Sequence, residues 1–143
     1  MPYEYLEDIA VADIAFHARG GNLEEVFTAA AQATMNVMVE ELAAIRPLER
    51  REVRLRHEEL DLLLFDFLQE LIYYKDAERL LLLVDHIGVT QGEGVFSLDA
   101  TLTGEAIDPG RHRMRADVKA VTLHRFRLAQ TERGWEAMVI LDI

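Results

Sequence analysis

The run Ala137-Met138-Val139-Ile140-Leu141, set between Trp135 and Ile143, is the feature that most narrows the folds open to this chain. Five consecutive apolar residues leave no wet face, so a strand made of them suits burial on both sides, inside a sheet. The chain is therefore expected to end within its own sheet, with strands from elsewhere flanking this one. Thr131 to Gly134 reads as the turn leading into it, and Val121 to Ala129 as the strand before.

Earlier segments show the period of two that marks a strand with one covered face. Ile14, Phe16 and Ala18 alternate with Ala15, His17 and Arg19 between Asp13 and Gly20-Gly21; Arg51, Val53, Leu55 and His57 alternate with Glu52, Arg54, Arg56 and Glu58. Leu80 to Val84 is a short apolar run, and Phe96, Leu98, Ala100 and Leu102 alternate with Ser97, Asp99, Thr101 and Thr103. Gln91-Gly92-Glu93-Gly94 between them predicts a hairpin. Two segments carry the helical period instead. Asn22 and Glu25 have the spacing of an N-cap and its capping-box glutamate, opening a helix expected from about Leu23 to Leu42. From Leu60, the residues Leu63, Leu64, Phe67, Leu68, Leu71 and Ile72 form a stripe broad enough to lie across a sheet, with Asp61, Asp66 and Glu70 on the wet side. Together these patterns predict an α+β fold, two helices packed on a mainly antiparallel or mixed β-sheet, as one domain spanning residues 1–143. The connection from Gly104 to Asp117, with Pro109-Gly110, is long for a compact domain and is expected to be functional or mobile.

Composition removes several functions. Without cysteine there are no disulfides, thiolate zinc sites or cysteine nucleophiles, which is compatible with a reducing compartment, and the cytoplasm is the expected location. No apolar stretch reaches 18 residues and no basic segment precedes an apolar run, so no membrane partner and no signal peptide are expected. A formal net charge of −11 argues against general phosphate-backbone binding. The charge is uneven, however. Arg111, Arg113, Arg115, Lys119, Arg125 and Arg127 stand against Asp117 alone, a balance of +5 that leaves −16 for the remainder. Such a segment is either a solvated strand surface or a contact patch for an anionic partner.

Conventional catalytic constellations are missing. Ser97, the single serine, falls in the middle of an alternating strand; the histidines His17, His57, His86, His112 and His124 show no paired zinc-binding spacing; Gln91-Gly92-Glu93-Gly94 lacks the lysine of a phosphate-binding loop. Three residues stand out instead. Asp13 follows the apolar Ala10-Val11-Ala12, and Asp142 interrupts the apolar terminal strand one residue before Ile143. Were the last strand to reach Asp13, these carboxylates and the Ile143 carboxylate would converge as hard oxygen ligands, which select calcium, magnesium or manganese. Alternatively, Asp142 is solvated at a fraying terminus and Asp13 caps a turn. Lys119, one of two lysines beside thirteen arginines, is the third, standing just ahead of a strand where a compact ammonium has a use that a guanidinium does not.

Several segments together resemble the archease family: Tyr3-Glu4-Tyr5-Leu6, Ala12-Asp13-Ile14, Asn22-Leu23-Glu24-Glu25-Val26-Phe27, Asn36-Val37-Met38, Phe67-Leu68-Gln69-Glu70-Leu71-Ile72-Tyr73, Arg111-His112, Lys119-Ala120-Val121-Thr122-Leu123-His124 and Val139-Ile140-Leu141-Asp142-Ile143. The resemblance covers almost the whole chain in order. It implies an accessory, non-catalytic protein of RtcB-type RNA ligases in tRNA splicing and RNA repair, one that promotes ligase guanylylation and multiple turnover and meets RNA only through the ligase. It further implies a divalent metal, calcium, held by Asp13, Asp142 and Ile143, and a partner-interaction set of Lys119, His124, Arg111 and His112. Where many archeases read His-Thr-Ala-Asp, this chain reads Ala10-Val11-Ala12-Asp13, with two more residues between Tyr3-Glu4-Tyr5-Leu6 and the aspartate; Glu7 and Asp8 are left without a role. Two other readings compete: a metal-dependent hydrolase using Asp13 and Asp142 with His124 as base, and a chaperone-like binding module.

Overall fold

In the computed structural model, which describes residues 2–6 and 13–143, the apolar run near the end is β7 (Gly134–Asp142). It lies between β2 (Asp13–Gly20) and β6 (Ala120–Thr131), in a four-stranded sheet completed by β1 (Tyr3–Leu6) in the order β1-β2-β7-β6. Interior placement explains the composition: Ala137, Val139, Ile140 and Leu141 are all buried. A second sheet holds β3 (Glu49–His57), β4 (Leu80–Gly92) and β5 (Val95–Ala106) in the order β3-β5-β4, and every strand pair in both sheets is antiparallel. The α+β class is as expected; the strands divide between two sheets, where the alternation had suggested one.

Both helices, α1 (Leu23–Met38) and α2 (Leu60–Glu78), pack against both sheets. That position explains α1, whose alanines 29, 30, 31 and 33 are buried together with Val26, Phe27, Met35 and Met38, leaving little of the helix wet. The α2 stripe supplies the facing surface: Phe67 stacks on Phe27 with ring centroids 6.2 Å apart, and both are fully buried. Burial of each ring contributes about 1.5–3 kcal/mol.

The start of α1 is capped by Asn22 as expected, with the glutamate's return bond going to the residue before the cap. The Glu25 amide donates to Asn22 Oδ1 at 2.8 Å, while Glu25 Oε1 accepts from the Gly21 amide. Its end is earlier than the expected Leu42. Asn36 accepts from the Tyr3 hydroxyl and donates through Nδ2 to the carbonyls of Val39 and Glu40. These bonds satisfy groups past Met38 in an extended conformation, so the helix stops there and a short 3₁₀ turn follows at Leu42–Ala44.

Strand margins are blocked by side chains. Gln69 of α2 accepts from the outer amide of Val121 on β6, and Glu24 of α1 accepts from the Val89 amide on β4. At the β4–β5 hairpin, Glu93 and Gly94 both have positive φ, 55° and 76°, the signature of a two-residue turn matched to strand twist. Gly134 opens β7 at φ 135°, and a Cβ there would stand 2.2 Å from the Gly20 carbonyl oxygen, so only glycine lets this hairpin close onto the end of β2. Among the described residues, no helix is long and apolar enough to cross a membrane.

Candidate functional site

β7 pairs with β2 in a register that sets Asp13 opposite Asp142, and with β6 in one that sets Ala120 opposite the same Asp142. Residues directly opposed on antiparallel strands project from the same face with Cβ atoms about 4.5–5.5 Å apart. The two carboxylates therefore share a face at one end of the sheet, both half-buried. The Lys119 amide donates to the Asp142 carbonyl at 2.8 Å, so the chain entering β6 closes against the same strand end, with the Lys119 residue exposed. Ile143 follows directly, half-buried against the core. Among the described residues, no ion pair engages Asp13 or Asp142, and no group of three His, Cys, Asp or Glu is placed to hold a metal. What these residues offer a cation is a pair of hard carboxylates, short of the six to eight oxygens that calcium takes. Glu7 and Asp8 lie outside the described residues.

Arg111 and His112 belong to a different constellation, built around Glu105 at the end of β5. The Glu105 side chain is 5% exposed. It accepts from the Arg46 amide at 2.7 Å, from the Arg46 guanidinium and from Arg111. His112, fully buried, accepts the Asp108 amide on Nδ1 at 2.9 Å. That bond assigns the proton to Nε2, which donates to Glu105 Oε2 at 3.0 Å. The Arg111 hydrogen bond, opposed by burial and reinforced by the Arg46 amide, His112 and the Arg46 side chain, holds the Glu105 carboxyl well below the usual carboxylate range.

The connection from β5 to β6, expected to be functional or mobile, is tied down along its length. Beyond the Glu105 network, the Glu40 amide donates to the Arg113 carbonyl, and the Arg115 and Ala116 amides to the Met38 and Val37 carbonyls. Lys75, buried on α2, then secures the entry to β6, its ammonium donating to Asp117 Oδ1, to the Val118 carbonyl at 2.8 Å, and meeting Asp76 at 2.6 Å. Burial opposes the charged form, yet hydrogen bonds to Asp117 and Asp76 outweigh it and raise the Lys75 pKa. The basic segment thus splits in two: Arg111 and Arg113 pair with Glu105, Asp108 and Glu40, whereas Arg115, Lys119, Arg125 and Arg127 have no carboxylate partner among the described residues.

His124 lies in neither constellation. Between Thr122 and Arg127 the β6–β7 register breaks, and Leu123, His124, Arg125 and Phe126 stand opposite Val139 alone. Arg125 takes φ 53°, and His124 is exposed within the resulting bulge.

The chain matches the Archease protein family (MTH1598/TM1083) over residues 3–143. The chain belongs to the archease family. Protein archease of Methanosarcina acetivorans is 37% identical over 142 residues, spanning 99% of this chain and 95% of its own. That of Thermococcus gammatolerans is 35% identical over 133 residues, 92% of this chain and 93% of its own. Among solved structures, the solution structure of protein 1598 of Methanobacterium thermoautotrophicum superimposes with a TM-score of 0.85 at 33% identity, covering 99% of both chains. A crystal structure described as an archease and possible chaperone, from Thermotoga maritima, superimposes with a TM-score of 0.58 at 18% identity, covering 94% of this chain and 93% of its own, and shows the shared fold.

For this archease-family chain, the sequence reading passed over Glu105 and Lys75. Glu105 continues the polar alternation of Ser97, Asp99, Thr101 and Thr103, so nothing local marks it as buried. Lys75 did leave a signal: it extends the stripe Leu64, Leu68, Leu71 at helical spacing, a cation in a core position.

Proposed function

We propose that this archease-family chain is a cytoplasmic accessory protein that activates an RtcB-type RNA ligase in tRNA splicing and RNA repair. It promotes guanylylation and multiple turnover of the ligase, without catalysing ligation and without contacting RNA except through the ligase. The observation that carries the reading is the direct opposition of Asp13 and Asp142 at one end of a sheet, beside the exposed Lys119.

In this reading Asp13, Asp142 and Ile143 hold a divalent cation; their oxygen donors suit calcium, magnesium or manganese, and the family resemblance points to calcium among them. When bound, the cation supplies charge neutralisation at the surface presented to the ligase. Asp13 and Asp142, from non-adjacent parts of the chain, orient that surface. Lys119, whose backbone is fixed on Asp142, offers an ammonium to the phosphates of a bound nucleotide. Arg111 keeps an exposed portion at the rim of the Glu105 network, where it can meet the ligase, and His112, buried beneath, positions it. A hydrolase built on the two aspartates with His124 as base is less well supported: His124 lies in the β6 bulge, four residues along the strand from Ala120, the partner of Asp142.

The test is ligation under substoichiometric ligase from the same organism. The wild-type chain is expected to restore repeated turnover, and Asp142→Ala and Lys119→Ala to abolish the gain. Absence of any gain with wild-type protein sinks the proposal. Calcium at a hundredfold excess over its dissociation constant is expected to stabilise the wild-type fold by about 2.7 kcal/mol and to leave Asp13→Asn unmoved, as read by thermal melting.

A further inference from the structure

The bulge on β6 has no counterpart elsewhere in either sheet: β4 carries a smaller register shift between Val84 and His86, whereas on β6 four residues face one. The surplus must arch away from the sheet, and Arg125, held in the left-handed region at φ 53°, makes the corner. The arch is anchored rather than loose. Phe126 returns inward and meets Phe65 of α2 edge-on, ring centroids 5.6 Å apart. At the crest Leu123 is 61% exposed, with His124 and Arg125 exposed beside it and Arg127 beyond.

We propose that this Leu123–Arg125 knuckle is a docking element that inserts into a partner protein at an apolar socket rimmed by carboxylates. An exposed leucine on a rigid corner fits an apolar socket, and a preformed element loses little conformational freedom on binding. The charge around it identifies the rim. Lys119, Arg125 and Arg127 place three positive charges along β6 and its entry on a chain whose other residues sum to −14, so an acidic surface would be attracted here and repelled over the rest of the molecule. A protein fits better than a nucleic acid, because the most prominent side chain of the crest is aliphatic and the chain as a whole, at −11, repels a phosphate backbone. The knuckle begins three residues along β6 from Ala120, the partner of Asp142, or about 10 Å at strand spacing. Docking there brings the aspartate end of the sheet against the partner. The inference rests on the activator reading in taking that partner to be the ligase.

The experiment measures affinity for the ligase without and with RNA, and ligase turnover, for the full chain and for Leu123→Ser, Arg125→Glu and Asp142→Asn, with thermal melting as the check on folding. Expected is a roughly tenfold or greater loss of affinity for the two knuckle variants, with turnover recovered when the variant is supplied in proportionate excess. Asp142→Asn is expected to lose the turnover gain even at the excess that rescues the knuckle variants. Knuckle variants that bind like wild type overturn the docking assignment and leave the activator reading standing. So does a loss of affinity that shows only when RNA is added, which would assign the knuckle to RNA. A wild-type chain that neither binds nor activates the ligase overturns both.

Discussion

Glu105 and the Asp13–Asp142 pair are two acidic sites at the ends of two different sheets, and the protein provides for them in opposite ways. Glu105 is surrounded by Arg46, Arg111 and His112, each donating to it. Asp13 and Asp142 face one another across a strand pair with no cationic side chain bound to either among the described residues. Every donor around Glu105 comes from the same chain, so its charge is spent on holding the 3₁₀ region, β5 and the following connection together. The aspartate pair instead leaves its charge available to something that arrives from outside. Of two carboxylate sites in one small protein, the one enclosed by donors belongs to the architecture, and the one left without a cationic partner is where the proposed reading puts binding.

The comparison breaks most sharply at Glu105. Replacement by leucine strands the Arg46 amide and the His112 Nε2 proton in a buried setting, and is expected to give the largest fall in melting temperature of the substitutions considered, measured calorimetrically. The pH dependence has a definite sign. Because the folded carboxyl is held below its ordinary value of 4.5, its contribution is present above that value and is lost as pH falls toward the folded one. Glu105→Gln is therefore expected to flatten the acid limb of a stability–pH curve below about pH 4.5.

Lys75 is the cationic counterpart and the next effect in size. Lys75→Met leaves the Val118 carbonyl without its donor and releases Asp117, at a cost of about 1–3 kcal/mol in urea unfolding. Its raised pKa works in the other direction: the contribution is intact below the ordinary value of 10.5 and is lost as pH rises through the folded value. The variant should lose stability relative to wild type at neutral pH and converge on it at strongly alkaline pH.

Smallest in stability is the aspartate pair itself. Like charges directly opposed across strands are destabilising, so Asp13→Asn without metal is expected to gain about 0.2–1 kcal/mol. A loss of several kcal/mol by chemical denaturation would show that Asp13 belongs with Glu105 as a structural carboxylate.

The legibility of these features in the sequence follows their range. Alternation at Ile14, Phe16 and Ala18, the Asn22–Glu25 cap and the α2 stripe are local signals, and each produced the element expected. The apolar run Leu80–Val84 marks only the first part of β4, which continues to Gly92 past a register shift between Val84 and His86. β1 is only four residues long, too short to show a period. The α1 terminus depended on Asn36 meeting Tyr3 from another element, and the pinning of the connection between β5 and β6 depended on Lys75 and Glu105, all contacts between segments distant in sequence. The opposition of Asp13 and Asp142 is of the same kind: composition could mark each as odd, and only the family resemblance suggested that they meet.

The place of β7 also governs the order in which the molecule assembles. The β6–β7 hairpin turns through two residues and can close locally, whereas β7 and β2 pair across nearly the whole chain, from Asp13 with Asp142 to Gly20 with Trp135. Contacts of such long sequence separation carry a loop-closure cost that local ones do not, and they form late. The four-stranded sheet is therefore expected to stay open, with β2 lacking its inner neighbour, until the finished hairpin slots in. Asp13 and Asp142 are brought face to face by that same closing step, so the proposed binding end is expected to be assembled among the last parts of the fold.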